Sequence, residues 1–231
     1  MLDECLDVVE FFDLAQVASV PWKNGGGSTR ELACWPPGAG MDGFEWRVSV
    51  ATIATQGPFS AFAGVDRQIM LLEGDGVHLH SAPGLHGGWA HTLDQRWRPF
   101  AFAGEAPVVC SMLGGTSTDF NLMVRRGVWT GAMQVVQSAQ SAAVPHSAGL
   151  CLVLAGTWRW GLGDAARTMA AGQGAWWVRE SDVACGAETR HPNPDRDAHS
   201  LAPVTPLLQA EGECPPTLAW IALHRVSEFD I

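Results

Sequence analysis

The sequence predicts an all-β chain folded as two small antiparallel β-barrels in tandem. Three observations carry this. Short runs with strand character recur about every ten residues, as in an all-β sandwich or barrel. Helical periodicity is scarce, and 26 Gly and 14 Pro are spread through the whole chain. The two halves also echo each other. Leu71-Leu72-Glu73-Gly74-Asp75-Gly76 and Val153-Leu154-Ala155-Gly156-Thr157-Trp158 are each an apolar strand ending in a glycine turn, with a further strand after it. Two closed barrels would leave no long unpaired edge.

The strands follow in order. Trp46 to Ile53 alternates polar and apolar residues and is rich in β-branched side chains. Gln68 to Leu72 and Val108 to Met112 are short apolar runs, and Phe120 to Val124 lies within a longer alternating stretch. The second half supplies Met133 to Val136, Gly149 to Leu154, Ala175 to Val178 and Leu218 to Leu223. Turn signals separate them at Gly57-Pro58, Gly74-Asp75-Gly76, Gly114-Gly115 and Gly172-Gln173-Gly174. Residues 180–206 are polar and rich in Pro, Asp and His, which reads as a long surface loop.

Bulk composition excludes several function classes. With 47 % hydrophobic and 16 % charged residues the 231-residue chain packs as a globule and is not a disordered segment. A formal net charge of −10, with Arg125-Arg126 the only adjacent basic pair, repels phosphate backbones and argues against nucleic-acid binding. The first residues, Met1-Leu2-Asp3-Glu4-Cys5, lack the basic and apolar regions of a secretory signal, and no apolar run is long enough for a membrane helix. None of the cysteines at 5, 34, 110, 151, 185 and 214 forms a C-x-x-C pair, so free thiols in a reducing cytoplasm are expected. Eleven Trp with no Tyr is unusual usage for which composition offers no function.

The densest polar chemistry is Pro21-Trp22-Lys23-Asn24-Gly25-Gly26-Gly27-Ser28-Thr29-Arg30-Glu31. Three glycines free the backbone for φ > 0 and for close approach. Flanking them are a ring, a cation, a carboxamide, two hydroxyls and a carboxylate, as in a strand-entry loop lining a polar site. A tight glycine turn with solvated neighbours is the alternative.

Period-2 alternation puts Arg47 and Ser49 on one strand face and Val48 and Val50 on the other. It likewise separates Asp119, Asn121, Met123 and Arg125 from Phe120, Leu122 and Val124. Each polar face either meets water or lines a barrel. Phe59 to Arg67 adds Ser60, Phe62, Asp66 and Arg67. Lys23, Arg47, Arg67 and Arg125 are four of only fourteen basic residues, each near an amide or hydroxyl. Guanidinium forks and amides suit a small dicarboxylate or an amino-acid-like ligand. Surface ion pairing with Glu31, Asp66 and Asp119 is the plainer reading.

His78 and His80 form an H-x-H on one strand face, the one candidate for a transition metal. No carboxylate follows closely in Ser81 to His86, so a metal is not expected. No Ser sits in a G-x-S-x-G frame, and Cys110 and Cys151 lie in apolar strands where a thiol is inert.

Four motifs in order, at residues 21–31, Trp46 to Ala51, Gly57 to Arg67 and Asp119 to Gly127, resemble the signature of the HutD/Ves family. The resemblance covers mainly residues 20–127. It implies a bicupin, two tandem antiparallel barrels of jelly-roll (RmlC-like) type. Residues 1–130 would form the first barrel, carrying the motifs, and 131–231 the second, with strand exchange between them allowed. It also implies a link to histidine utilisation and a ligand-binding or regulatory role; no cofactor is expected. The matching signature positions are Lys23, Asn24, Gly25, Glu31, Arg47, Ser49, Ser60, Phe62, Arg67, Asp119, Asn121 and Arg125.

The resulting expectation is a cytoplasmic protein that binds a small anionic metabolite, such as formylglutamate or urocanate, without transforming it. Arg47 and Arg67 would clamp carboxylate oxygens while Asn121 and Ser49 fix an amide, formyl or ring group. Glu31 and Lys23 would orient neighbours, and Trp46 or Phe62 would cover the apolar part. One alternative is a cupin-type enzyme, a hydrolase or isomerase on a small carboxylate, with Glu31 or Asp119 as base. Another is a protein-interaction module presenting exposed Trp. Neither nucleic acid nor membrane is an expected partner, and a homodimer fits the commonest form of soluble assembly.

Overall fold

Eighteen strands and no helix make up the described residues of the computed structural model, which are 8–83, 87–137, 147–161, 166–179, 209–211 and 216–226. The expected loop at 180–206 and Cys5, Cys185 and Cys214 lie outside them.

The strands form four sheets. The first half contributes β2 (Ser19–Pro21), β3 (Gly27–Trp35), β4 (Trp46–Ile53), β6 (Val65–Gly74), β9 (Phe100–Ala103) and β11 (Ser117–Arg125). These make a six-stranded antiparallel sheet in the order β2-β3-β4-β11-β6-β9. Facing it, β5 (Gly57–Pro58), β7 (Val77–Ser81), β8 (Trp89–Leu93) and β10 (Val108–Met112) make a four-stranded sheet in the order β5-β10-β7-β8. Gly57-Pro58, read above as a turn, is instead a two-residue edge strand on β10, a position proline tolerates.

The second half contributes β12 (Trp129–Val136), β13 (Ala148–Ala155), β16 (Gln173–Val178) and β18 (Thr217–Arg225) to a five-stranded sheet. Its fifth member is β1 (Val8–Asp13), from the other end of the chain, paired antiparallel with β16. A three-stranded sheet of β14 (Thr157–Trp160), β15 (Arg167–Ala170) and β17 (Gln209–Glu211) completes the set.

Three apolar layers separate the four sheets. The central one joins the six- and five-stranded sheets through Val48, Val50, Phe120 and Leu122 on one side and Leu150, Leu152, Ile221 and Leu223 on the other. The layer under the three-stranded sheet is filled by Trp158, Trp160, Trp177 and Trp220, which gives part of the tryptophan content a packing role. Because the five-stranded sheet has a core on both faces, its strands read as continuous apolar runs instead of alternating ones. In β13, Leu150 and Leu152 enter the central layer while Cys151 and Val153 enter the tryptophan layer.

The layer between the six- and four-stranded sheets differs. Ile53, Ile69 and Leu71 pack there against Val77, Leu79, Val108 and Cys110. The same inner face also carries Arg47, Ser49, Arg67, Asp119 and Asn121. Polar chemistry is concentrated in this layer.

Candidate functional site

Register aligns the polar side chains in rows across the inner face. Glu31 of β3 pairs with Ser49 of β4, and Ser49 with Asn121 of β11. One row on, Cys34 pairs with Arg47, Arg47 with Met123, Met123 with Arg67 of β6, and Arg67 with Phe102 of β9. In the other direction Asp119 lies between Ala51 and Leu71. A bulge between Glu31 and Ala33 adjusts the face of β3. It lets both Leu32 and Ala33 reach the central core while Glu31 stays opposite Ser49.

The two central arginines are partnered unequally. Arg47 donates from Nε to Glu31 Oε2 at 2.6 Å and from Nη1 to Ser49 Oγ at 3.4 Å. Arg67 is 9 % exposed, and the one hydrogen bond of its guanidinium among the described residues runs from Nη1 to the Ser60 carbonyl at 3.3 Å. Its Cζ lies 4.9 Å from the Phe102 ring centroid, 5.4 Å from Phe59 and 5.7 Å from Phe62. No carboxylate among the described residues pairs with it. Burial, with the Arg47 charge second, pulls the Arg67 guanidinium down to about 10.

Asp119 is fully buried, and its carboxyl accepts from Ser117 Oγ at 3.1 and 3.3 Å. Burial pushes it up to about 7, against the opposing effect of that hydrogen bond. Asn121 donates from Nδ2 to the Asp119 backbone carbonyl at 3.1 Å, its one side-chain hydrogen bond among the described residues. Burial also raises the thiols of Cys34 and Cys110 to about 11, so neither is a ready nucleophile.

Other sequence-stated candidates are placed elsewhere. Trp46 points from the opposite face of β4 into the central core, edge-on to Trp176 at 6.2 Å, and does not share the face of Arg47. Arg125 donates to the backbone carbonyls of Phe44 and Asp42 at 2.9 and 3.1 Å, fastening the loop before β4. Asn24 accepts from the Gly26 amide at 3.0 Å and shapes its own turn, Gly25 sits at φ 71°, and Lys23 is exposed. That turn lies at the Ile53 end of β4, away from Arg47. It borders a cavity of about 20 Å³ with Trp22, Ile53, Phe59 and Cys110, room for a single water.

Ser60 serves through its carbonyl, and Phe62 is a wall of the Arg67 cage. Of the plain ion-pair partners, Glu31 pairs with Arg47, whereas Asp66 pairs with Arg126 at 2.6 Å and not with Arg67. Sequence reasoning missed Phe59, Phe102 and Ser117. Alternation gives Ser117, two residues before Asp119, whereas Phe102 needs the β6–β9 pairing.

A metal centre does not fit these residues. His78 and His80 alternate with buried Val77, Leu79 and Ser81 and so face away from the inner layer. Among the described residues no three His, Cys, Asp or Glu side chains group closely enough to hold an ion. No helix among them is long and apolar enough to cross a membrane.

Comparison with known proteins places this arrangement among relatives. The family model described as HutD matches residues 14–192. Protein Ves of Cronobacter sakazakii is 38% identical over 174 residues, 75% of this chain and 89% of its own length. HutD of Pseudomonas fluorescens SBW25 superposes with a TM-score of 0.66 at 25% identity, covering 95% of this chain and 100% of that one. An oxalate decarboxylase structure shares the fold alone, with a TM-score of 0.55 at 8% identity over 92% of this chain and 76% of its own. The fold is therefore a cupin-like β-fold.

Proposed function

The chain belongs to the HutD/Ves family, and from that premise we propose that it is a small-molecule-binding protein that holds a carboxylate metabolite at Arg67 without transforming it. The observation that carries this reading is the unpaired cation. A buried guanidinium surrounded by three phenylalanines, with no carboxylate partner among the described residues, costs several kcal/mol unless an anion completes it. Arg47 is already paired with Glu31, so it does not compete for the same ligand oxygen. Asn121 and Ser49 stand one row away to hold a neutral polar group of the ligand.

The family link makes an intermediate of histidine catabolism, such as urocanate or formylglutamate, the first choice of ligand, and a regulatory role follows from binding without turnover. The four sheets pair off as two barrels of a bicupin in this reading, with the site in the first. A second reading rests on Asp119, whose carboxyl titrates near neutrality and would suit an acid–base group of a hydrolase or isomerase.

The test is calorimetry and thermal shift on the full chain with urocanate, formylglutamate, glutamate, histidine and formate. A ligand at 100 times its Kd adds about 2.7 kcal/mol of stability. The substitution Arg67→Met keeps an apolar stem among the rings and removes the charge, so the protein should remain folded and lose binding by at least about a hundredfold. Binding within about twofold of the native value in that variant would remove Arg67 from the site. Consumption of any of these acids by the protein would favour the enzyme reading.

A further inference from the structure

Resting on the reading of Arg67 as the anion-holding group, we infer that Ser81 of β7 is a second binding residue of that site, donating its hydroxyl from the facing sheet to the same carboxylate. The bound anion thus bridges the six- and four-stranded sheets.

The first observation is a hydroxyl with nothing to bond. Ser81 is 4% exposed, and its Oγ has no hydrogen-bond partner among the described residues. A buried hydroxyl ordinarily finds one, because its lost hydration is otherwise uncompensated. The indole N–H groups of Trp46, Trp158 and Trp177 are unpartnered too, but they sit among apolar side chains of the central and tryptophan layers. Ser81 alternates in phase with Val77 and Leu79, so it faces the layer that holds the buried charge.

The second observation is its place. In the four-stranded sheet Ser81 lies between Val108 of β10 and Trp89 of β8. Each neighbour leads to a ring of the Arg67 cage. The Phe59 amide donates to the Val108 carbonyl at 2.9 Å, and the Phe59 ring is 5.4 Å from the Arg67 Cζ. The Trp89 and Phe102 centroids are 5.6 Å apart, and Phe102 lies 4.9 Å from the same Cζ. The rings around the guanidinium therefore flank Ser81 on both sides. Facing sheets stand about 10 Å apart. An arginine reaching from one and a serine from the other narrow that gap to the span of a small group.

The third observation is complementary chemistry. Among the described residues the Arg67 fork spends only Nη1, on the Ser60 carbonyl, so Nε and Nη2 remain to donate. A carboxylate offers about four acceptor sites, more than one fork fills. A neutral hydroxyl supplies a further donor without bringing a second charge into the layer.

The experiment is calorimetry and thermal melting on the full chain, native and Ser81→Ala, with formate and urocanate as probes. Deleting an orphaned hydroxyl removes its desolvation cost, so the ligand-free variant should melt at or slightly above the native temperature. Its affinity should nevertheless fall at least about tenfold, by the same factor for both probes, because the hydroxyl meets the carboxylate they share. A serine with a purely structural role would not give these opposite signs. Affinity within about twofold of native for both probes would overturn the inference, assign the hydroxyl to a buried water, and leave Arg67 as the anion site. A loss confined to urocanate would put Ser81 against the body of the ligand and overturn the shared-carboxylate contact. Native-like binding by Arg67→Met, or no binding of either probe by the native protein, would overturn the reading of Arg67 and this inference with it.

Discussion

Asp119 sits in a layer where ionisation is expensive. Its carboxyl is raised from 3.8 to about 7 by burial, so the folded state holds a proton that the unfolded chain releases near pH 4. The stability tied to that proton is fully present below the unfolded value and is lost as pH rises through about 7. Asp119→Asn, which cannot ionise, should flatten the melting temperature between pH 5 and 8 relative to the native protein. A parallel pH profile in the variant would assign the titration to another group. By contrast the Arg47–Glu31 pair is half open to solvent, Glu31 being 47% exposed, and contributes little to stability. Much of this was legible at the level of single residues. Alternation alone set Arg47 with Ser49, and Asp119 with Asn121, on polar faces. It could not set Arg125 aside, because that guanidinium is spent on backbone carbonyls 81 and 83 positions away. Nor could it separate Trp46 from its neighbour Arg47 as a ligand contact, since both faces of β4 are buried and only tertiary packing says which holds the site.

At the scale of elements, the glycine run before β3 is a construction device with a different reason at each position. Gly25 takes φ 71° in the turn that Asn24 caps. Gly27 begins β3, and a Cβ there would fall on the Thr52 carbonyl oxygen and within 2.9 Å of the Trp22 ring. Trp22 is itself fixed by donating from Nε1 to Thr29 Oγ1 at 2.7 Å. Gly27→Ala should therefore cost about 2 kcal/mol in urea unfolding, more than the roughly 1 kcal/mol of Gly25→Ala, where nothing lies within 4 Å of the added carbon. The reverse order would mean that backbone conformation, not crowding, is what the run provides. The sequence of this segment reads either as a site loop or as a tight turn with solvated neighbours. The turn accounts for Asn24, Gly25 and Gly27, and Glu31 alone reaches the arginines. Strands whose apolar residues form an uninterrupted or cleanly alternating run, such as β4 and β10, were legible to the residue. Short polar strands such as β2 and β5 were not, because their pairing partner creates them.

For the whole molecule, the central layer decides whether the halves behave as one. Leu150 is fully buried there, and Leu150→Ala should cost about 3 kcal/mol. If the layers open together, labelling of buried Cys110 and Cys151, followed by peptide mass spectrometry, should accelerate by the same factor, on the order of a hundredfold. Acceleration at Cys151 alone would mean that the halves open independently. The all-β class and the family were legible because turn chemistry and ordered motifs are local signals. The four-sheet order was not, because which distant strands pair depends on surfaces that exist only after folding.

The pairing of β1 with β16 has a consequence for the chain as it is made. Val8 and Phe12 of β1 serve the central layer while Val9 and Phe11 serve the tryptophan layer, so the strand is apolar on both faces. Its partner, from Phe11↔Ala175 outward, leaves the ribosome only after most of the protein has been translated. At about 5–20 residues per second that is a wait of roughly ten to thirty seconds. During that time a six-residue, two-faced apolar strand has no berth. Val8–Asp13 is thus the segment most in need of chaperone cover, and bulk attached close to it would hinder β1 from taking its place on β16.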